Sequence, residues 1–405
     1  MGNRVVLAGL AMAVASSCQL LSIGDEATGP GPWPEVPFKN YSKDYGIDWV
    51  QSVGVDAAHN VWVLRERQIG VLRAGSSSVV WTSNIGQASR PFGRASLAMA
   101  STVICGGEAG RAYVGYSTYD SPAPYRTSPQ DPEFLKGDLD VVRMNGDGSV
   151  VLEAHLGETT DDPSGYKHLG IRNSNDWHYD EDRSVLTCQR VMRGRDKGEL
   201  YIGTNHGVTR IRGLTYNAHR HADWIVNGAE RIGYNYGLGI GQNGDVLMAN
   251  EWRVGIITPP ERLEDFESHQ RAPWQVNSWA SELNSLEQMD HWRGFQQTKD
   301  GRYWVGSEQF GLWRMERTND IWSARFDRVQ GAPSNQILAL AAADDGSLFV
   351  GTANAGLWRM KPDGAFVRVG EVSGRKVTQL VYDPSVKPAM LYVLADAQLS
   401  VVRGH

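Results

Sequence analysis

What the chain lacks narrows its function before any of its features does. Among 405 residues there is no Gly-x-Ser-x-Gly elbow, no phosphate-binding Gly-rich loop ahead of a helix and no His-Glu-x-x-His pair. The nucleophilic, nucleotide-binding and zinc-dependent chemistries served by those spacings have no anchor here. Paired carboxylates for glycoside hydrolysis could be assembled from many loops, and the sequence does not single out two of them. Basic residues are not in excess: 40 Lys and Arg face 46 Asp and Glu, a net charge of −6, so no nucleic-acid footprint is present. Beyond the N-terminus no apolar run reaches the ~20 residues that a membrane helix needs.

What the chain has is a repeat. From Asn335 to Gly364 an apolar run, Ile337 to Ala343, reads as a strand buried on both faces, and Asp344-Asp345-Gly346 as a tight turn. Leu348-Phe349-Val350-Gly351 is a second strand, and Leu357-Trp358-Arg359-Met360 alternates as a half-buried third. Pro362-Asp363-Gly364 then turns into a fourth, Ala365 to Val369. Four antiparallel strands of this length make one blade of a β-propeller. Because a blade cannot bury its own faces, copies must accompany it.

Six more copies are found. Asp300 to Gly306 with Gly311 to Met315, and Gly198 to Thr204 with Gly207 to Ile211, follow the unit closely. Val55 to Arg73 is another, with Asn60 standing in the place of the turn glycine. A further copy begins at Gly110 to Gly115, its third strand, Leu139 to Met144, delayed by an insertion. Gly244 to Met248 with Val254 to Ile257 is the sixth, and Val377 to Val402 the last and most degenerate. Length alone suggests two or three domains; the repeat implies one closed, all-β, seven-bladed propeller. Its last blade has strands near 376–382, 390–395 and 398–403 and is one strand short, so residues 36–46 are expected to supply the missing outer strand.

The pattern Asp-x-x-Gly-x-Leu-Trp/Phe-Val-Gly-Thr, followed by Gly-Leu-Trp-Arg, resembles the two-component-regulator propeller repeat. That repeat occurs in periplasmic ligand-sensing domains of bacterial signalling proteins. The match is close at 335–361 and 300–315, good at 196–212 and partial in the other four blades. The resemblance implies a propeller and favours a small ligand such as a saccharide. The same turns also resemble the Asp-boxes of sialidase propellers, which are structural in those folds.

The N-terminus reads as an export signal over residues 1–17. Arg4 precedes an apolar stretch, Val5 to Ala15, of 11 residues, too short to span a bilayer core of ~30 Å. Ala15-Ser16-Ser17-Cys18 resembles a bacterial lipobox, which makes Cys18 the expected lipidation site. Gln19 after it favours the outer membrane over the inner; without lipidation the protein would be periplasmic or secreted. Residues 18–35, rich in Gly and Pro, form a flexible tether, and 36–405 the propeller. Cys105 and Cys188 lie on inner strands of consecutive blades at different heights, and two buried free thiols are expected there rather than a disulfide.

Departures from the repeat are where function is expected, since binding residues sit on loops carried by a scaffold. Three insertions stand out: Ser117 to Asp138, Gly157 to Arg183, and Pro259 to His291. Within the third, Ser278 to Met289 is expected as a short amphipathic helix with Trp279, Leu283 and Leu286 on one face. No cofactor motif is present. Asp176, Asp180, Glu181 and Asp182 offer the hard oxygens that Ca²⁺ prefers, without the spacing of an EF-hand. His219 and His221, with Asp223 nearby, share a strand face in a geometry open to a transition metal, but are expected on an exposed outer strand.

Of 14 tryptophans, Trp62, Trp304, Trp313 and Trp358 occupy repeat positions and should pack between blades. Trp177, Trp252, Trp274, Trp279 and Trp292 fall outside the pattern, where an aromatic face suits a sugar ring. The candidate ligand residues are therefore Trp177, His178, Asp180, Trp252, His291 and Trp292. The expected function is a non-catalytic, monomeric binding module of the cell envelope, taking a small ligand or an envelope protein and no nucleic acid. A structural or assembly lipoprotein and a glycan-acting hydrolase or lyase are the alternatives.

Overall fold

The computed structural model describes residues 37–65, 68–83, 85, 101–116, 139–156, 185–194, 196–204, 207–221, 235–250, 253–258, 275–280, 291–317 and 324–403. They form seven four-stranded antiparallel sheets. The inner strands, in blade order, are Ser52–Val55, Ser101–Gly106, Val185–Arg190, Asn235–Ile240, Trp292–Gln297, Ile337–Ala342 and Val377–Asp383. Each neighbours the inner strands of the blades before and after it, and blade 7 returns to blade 1, which closes the ring. The chain is the seven-bladed β-propeller that the repeat predicts.

The turns explain why each blade folds locally. In blade 6 the Asp345 carboxylate accepts the Ser347 N–H at 2.8 Å, and in blade 5 Asp300 accepts the Arg302 N–H at 3.2 Å. The glycine between them, Gly346 or Gly301, has φ of +88° or +85°, which only glycine adopts without strain. In blade 1 the residue in that place is His59 at φ +60°, not Asn60. Asp56 holds this costlier turn with five hydrogen bonds, from Ala58 N, Asn60 N and Nδ2, Trp62 Nε1 and Gly110 N. His59 Nδ1 adds a contact of 2.9 Å to Asp383 Oδ2 of blade 7.

The core lies between blades. The Gly of the second-strand Val-Gly-Thr/Ser motif is explained by the blade that follows. A Cβ on Gly306 would stand 2.7 Å from Ile337 Cγ2, and one on Gly351 2.7 Å from Val377 Cγ1. In both cases the partner opens the next inner strand, so the repeat glycine sets how closely blades stack. Repeat tryptophans fill the same layers, as expected for Trp62 and Trp304. Their indole N–H groups reach back to the turns, Trp62 to Asp56 at 3.0 Å and Trp304 to Thr298 Oγ1 at 2.9 Å. These two buried indoles therefore leave no donor stranded.

Closure follows the expected route. Phe38–Asn40 pairs with Gln398–Arg403 as the outer strand of blade 7, with Phe38 opposite Val402 and Asn40 opposite Ser400. A short helix, Tyr41–Tyr45, continues from it, capped by Asn40 at its start and by Gly46 in the left-handed region at its end. Tyr41 and Ile47 are wholly buried with Val50, Tyr392 and Leu394, so one segment seals blade 7 to blade 1. The otherwise open sheet edge is thereby covered.

Two expectations are corrected. Cys105 and Cys188 form a disulfide rather than two free thiols. Cys105 pairs with Tyr113, two positions beyond Gly115, and Cys188 with Ile202, one beyond Gly203. The offset is therefore a single residue, and a Cα–Cα separation of 6.4 Å is within bridging range. Ser278 to Ala280 are not helical: Gln275–Ala280 is the outer strand of blade 4, with Trp279 opposite Val254. The open edge of the third strand, Arg253–Thr258, recruits it, so pairing overrides a helical spacing. Residues 281–290 lie outside the described residues.

Candidate functional site

Each inner strand starts at one mouth of the central channel, here the upper, and turns back at the other, the lower. In blades 2 to 7 the register slips between the first and third residues of the inner strand. The extra residue is Thr102, Leu186, Tyr236, Arg293, Leu338 or Thr378. In blade 1 Gln51 takes that place, its N–H bonding the Leu64 carbonyl at 2.8 Å. All seven line a central cavity of about 260 Å³. A bulge re-aims one side chain out of the alternation of its strand. Repeated around the ring, it builds a collar of seven structurally equivalent residues of five types.

One arc of the collar is electrostatically organised. Arg293 donates from Nε and Nη2 to Glu308 Oε2, at 2.8 and 2.6 Å, and its guanidinium lies 4.2 Å from the Tyr236 ring centre. His291 Nδ1 is 3.1 Å from the same carboxylate oxygen, and its ring is 4.6 Å from that of Tyr236. Glu308 is fixed in turn by its N–H bond to the His291 carbonyl at 3.0 Å. Tyr236, His291, Arg293 and Glu308 thus form a compensated, half-exposed cluster at the upper mouth. Such a wall can stack on a ring and present a polar edge beside it.

Other channel groups are structural. Gln379 exchanges two hydrogen bonds of 2.9 Å with the Val53 backbone, as a neighbouring strand would. Ser52 Oγ donates to Gln379 Oε1 and accepts the Ile104 N–H, each at 3.1 Å, tying blades 7, 1 and 2 together. The Cys105–Cys188 disulfide also lies in the wall. At the lower mouth Arg193 of blade 3 pairs with Asp344 of blade 6, and the Asp344 N–H donates to Tyr382 Oη at 3.1 Å. Burial pushes the Tyr382 phenol up to about 12, so it stays a neutral acceptor.

Of the residues expected from sequence, Cys18, Trp177, His178, Asp180 and Trp252 lie outside the described residues, as does the acidic run from Asp176 to Asp182. His291 is at the upper mouth, in the cluster above. Trp292 is corrected: its ring is fully buried between Leu247, Val254 and Ile256 of blade 4 and Phe295 and Met315 of blade 5. It is a wedge, not a stacking platform, because it opens an inner strand at the position that packs on the previous blade. His219 and His221 are on the expected outer strand, Thr215–His221. Sequence reasoning missed Tyr236 and Arg293, since a bulge leaves no mark in hydrophobic periodicity.

It also missed Trp49. This residue lies three positions before the first inner strand, is 79% exposed and has φ of +58°. The next two N–H groups are pinned, Val50 to the Ala397 carbonyl at 2.9 Å and Gln51 to that of Leu64 at 2.8 Å. A left-handed backbone costs a bulky residue on the order of 1–3 kcal/mol, and such outliers cluster at ligand clamps. The only sequence signal was a tryptophan without a repeat position.

The fold is shared widely, and the sequence is not. No protein-family model and no curated protein matches the chain. Among solved structures it is similar to the extracellular domain of the hybrid two-component system BT3049 from B. thetaiotaomicron, with a TM-score of 0.52 and 12% identity over 88% of this chain. The chain spans 40% of the length of that protein chain. It is similar to YCF48 from Cyanidioschyzon merolae, with a TM-score of 0.53, 11% identity, 91% of this chain and 99% of that one. YCF48 bound to a D1 peptide scores 0.52 at 10% identity, over 92% of this chain and 99% of that one. These likenesses establish the β-propeller class, to which binding modules of several kinds belong.

Proposed function

We propose that this chain is a non-catalytic binding module of the cell envelope, lipid-anchored through Cys18, that takes a small ligand at the upper mouth of its channel. The observation that carries this reading is the bulge collar, which turns seven side chains of five types into one cavity. A saccharide is the ligand that the Tyr236–His291–Arg293 wall suits, an aromatic face beside polar hydrogen-bonding groups. The likeness to an extracellular two-component propeller supports the same direction. Among the described residues the cavity lining includes no Asp or Glu, so it offers no carboxylate pair for glycan hydrolysis.

The test is a thermal-unfolding screen of the full-length protein against neutral and acidic oligosaccharides, repeated with Tyr236→Ala. A ligand at about 100 times its dissociation constant should add ~2.7 kcal/mol of stability, and Tyr236→Ala should abolish the shift. No shift with any sugar removes the saccharide. A second reading, docking of an envelope protein, draws on the exposed Trp49 at the same mouth and on YCF48, a propeller that binds a peptide. A discrete partner recovered from native membranes, and lost with Trp49→Ala, would favour it. Palmitate labelling that disappears in Cys18→Ala tests the anchor.

A further inference from the structure

We propose that the lower half of the channel binds an oxyanion, a carboxylate or phosphate group, and that Arg190 is the residue that holds it. This rests on the channel being the ligand site and specifies the ligand further: its leading end is acidic.

The argument begins with sign. The chain is acidic overall, at −6, yet among the described residues the charged ones lining the cavity are Arg190 and Arg293. Arg293 is neutralised by Glu308. Arg190 is 8% exposed, and its hydrogen bonds run from Nη1, to the Val55 carbonyl at 3.2 Å and to Met192 Sδ at 3.5 Å. Its Nε has no partner. A carbonyl and a thioether do not compensate a buried cation, whose desolvation is costly unless an anion meets it.

The nearby carboxylates are committed elsewhere. Asp56 accepts the five bonds of the blade 1 turn. Asp383 is held by His59 at 2.9 Å and by Ser385, and Glu108 by Arg111 and Tyr113 at 3.1 and 3.2 Å. Burial lowers the Arg190 pKa, and the pull of these acids from a distance does not offset it. The guanidinium is thus an unmatched fork of donors beside a cavity, the group best suited to a planar oxyanion.

Shape agrees with sign. Gly106, the blade 2 residue beside Arg190, has no side chain, and a Cβ there would meet the Val55 oxygen at 2.0 Å. Without a Cβ there the backbones of blades 1 and 2 approach closely, which brings the Val55 carbonyl within reach of Arg190 Nη1 at 3.2 Å. With the Arg193–Asp344 pair spanning the lower mouth, the open approach is from the collar. At about 260 Å³ the cavity is just under the ~300 Å³ at which ligand pockets usually begin. It suits a compact acid or the acidic end of a longer molecule, with Tyr236 against the remainder.

Calorimetric titration of the full-length protein tests this with sodium phosphate, succinate and D-glucuronate at fixed chloride and ionic strength, and D-glucose as the uncharged control. At least one oxyanion should bind saturably, and phosphate against the two carboxylates tells which group is meant. Arg190→Met should weaken that binding about tenfold or more while melting no lower than wild type, because an unmatched buried charge has gone. Arg190→Lys should recover part of the affinity. The inference is overturned if no oxyanion binds the wild type, or if binding survives Arg190→Met. It is equally overturned if Arg190→Met melts well below wild type, which would make Arg190 a strut to Val55. An Arg190→Met variant that does not fold at all overturns it on the same ground. Tyr236→Ala separates the two readings: loss of sugar binding with phosphate binding retained faults neither, whereas loss in Arg190→Met alone isolates the anion site.

Discussion

The layers between blades and the collar inside the ring are built from the same strands and follow opposite rules. Between blades the chemistry recurs: Gly115 faces Val185, Gly306 faces Ile337 and Gly351 faces Val377, each a second-strand glycine under the first residue of the next inner strand. One position later, at the bulge, four residue types share six places: Thr102 and Thr378, Leu186 and Leu338, Tyr236, and Arg293. Packing constrains the first position because interiors are close-packed and unforgiving of added volume. The second lines a cavity, where Thr102 Oγ1 still donates to the Val185 carbonyl and Arg293 to Glu308, but no repeated packing partner fixes the residue type. The proposed site lies where structural equivalence persists and chemical repetition weakens.

The disulfide is the sharpest exception, because it lines the channel and yet belongs to the scaffold. Cys105 and Cys188 are 83 residues apart in sequence. Closing a loop of that size in the unfolded chain is worth about 4.5 kcal/mol, among the largest effects expected here. Cys188→Ser, measured by denaturant unfolding under oxidising conditions, should show most of it. A loss under ~1 kcal/mol would mean that blades 2 and 3 are already held by packing, and that this wall position is as free as the collar.

Next in size is the layer itself. Gly306→Val places a branched side chain where Ile337 Cγ2 already stands 2.7 Å from the built Cβ. Overpacking of this kind typically costs ~1–3 kcal/mol, and a melting temperature unchanged from wild type would break the proposed role of the repeat glycine.

Acid tests the seam between blades 7 and 1. Burial alone would raise the Asp383 pKa, but the hydrogen bonds of His59 and Ser385 and the His59 charge outweigh it and bring it below the ordinary 3.8. A carboxylate lowered in the folded state stabilises above its unfolded pKa, and that contribution is lost as pH falls through the folded value. Stability from Asp383 should thus be complete above about pH 5 and fade below pH 4. Asp383→Asn should be less stable at neutral pH and flatter in the acid limb. An acid limb identical to that of wild type would remove the seam.

How much of this was readable beforehand depends on whether a feature has a period. Seven blades, the Asp-Gly turns and the closure by residues 36–46 were legible because turn residues and apolar runs recur at fixed offsets. The position of the blade 1 turn was not: Asn60 looks more like a glycine substitute, but His59 takes the positive φ because Asp383 holds its ring. The disulfide was misjudged by one residue of stagger. His291, expected from its proximity to an insertion, sits in the cluster at the upper mouth, whereas Trp292 beside it is buried in the core, since neighbours along a strand point opposite ways. Arg190 and the collar depend on a bulge and on a missing side chain at Gly106, and neither produces a pattern in composition.

The smallest effect is the most informative about the collar. Leu338 is half-buried and Thr378 exposed; both line the cavity and sit at bulges of blades 6 and 7. If the collar is a recognition surface, Leu338→Ala and Thr378→Val leave the interblade layers intact and should change stability by no more than ~0.5 kcal/mol. Their effect should appear instead in the affinity for whichever sugar or acid stabilises the wild type. Neighbouring Ile337 provides the internal control: it is fully buried against Gly306, and Ile337→Ala should cost ~2–5 kcal/mol. Two adjacent residues on one strand would then report separately on scaffold and site. A cost of 2 kcal/mol or more for Leu338→Ala would mean that the collar packs as a core, and the division between the two regions would fail at its own boundary.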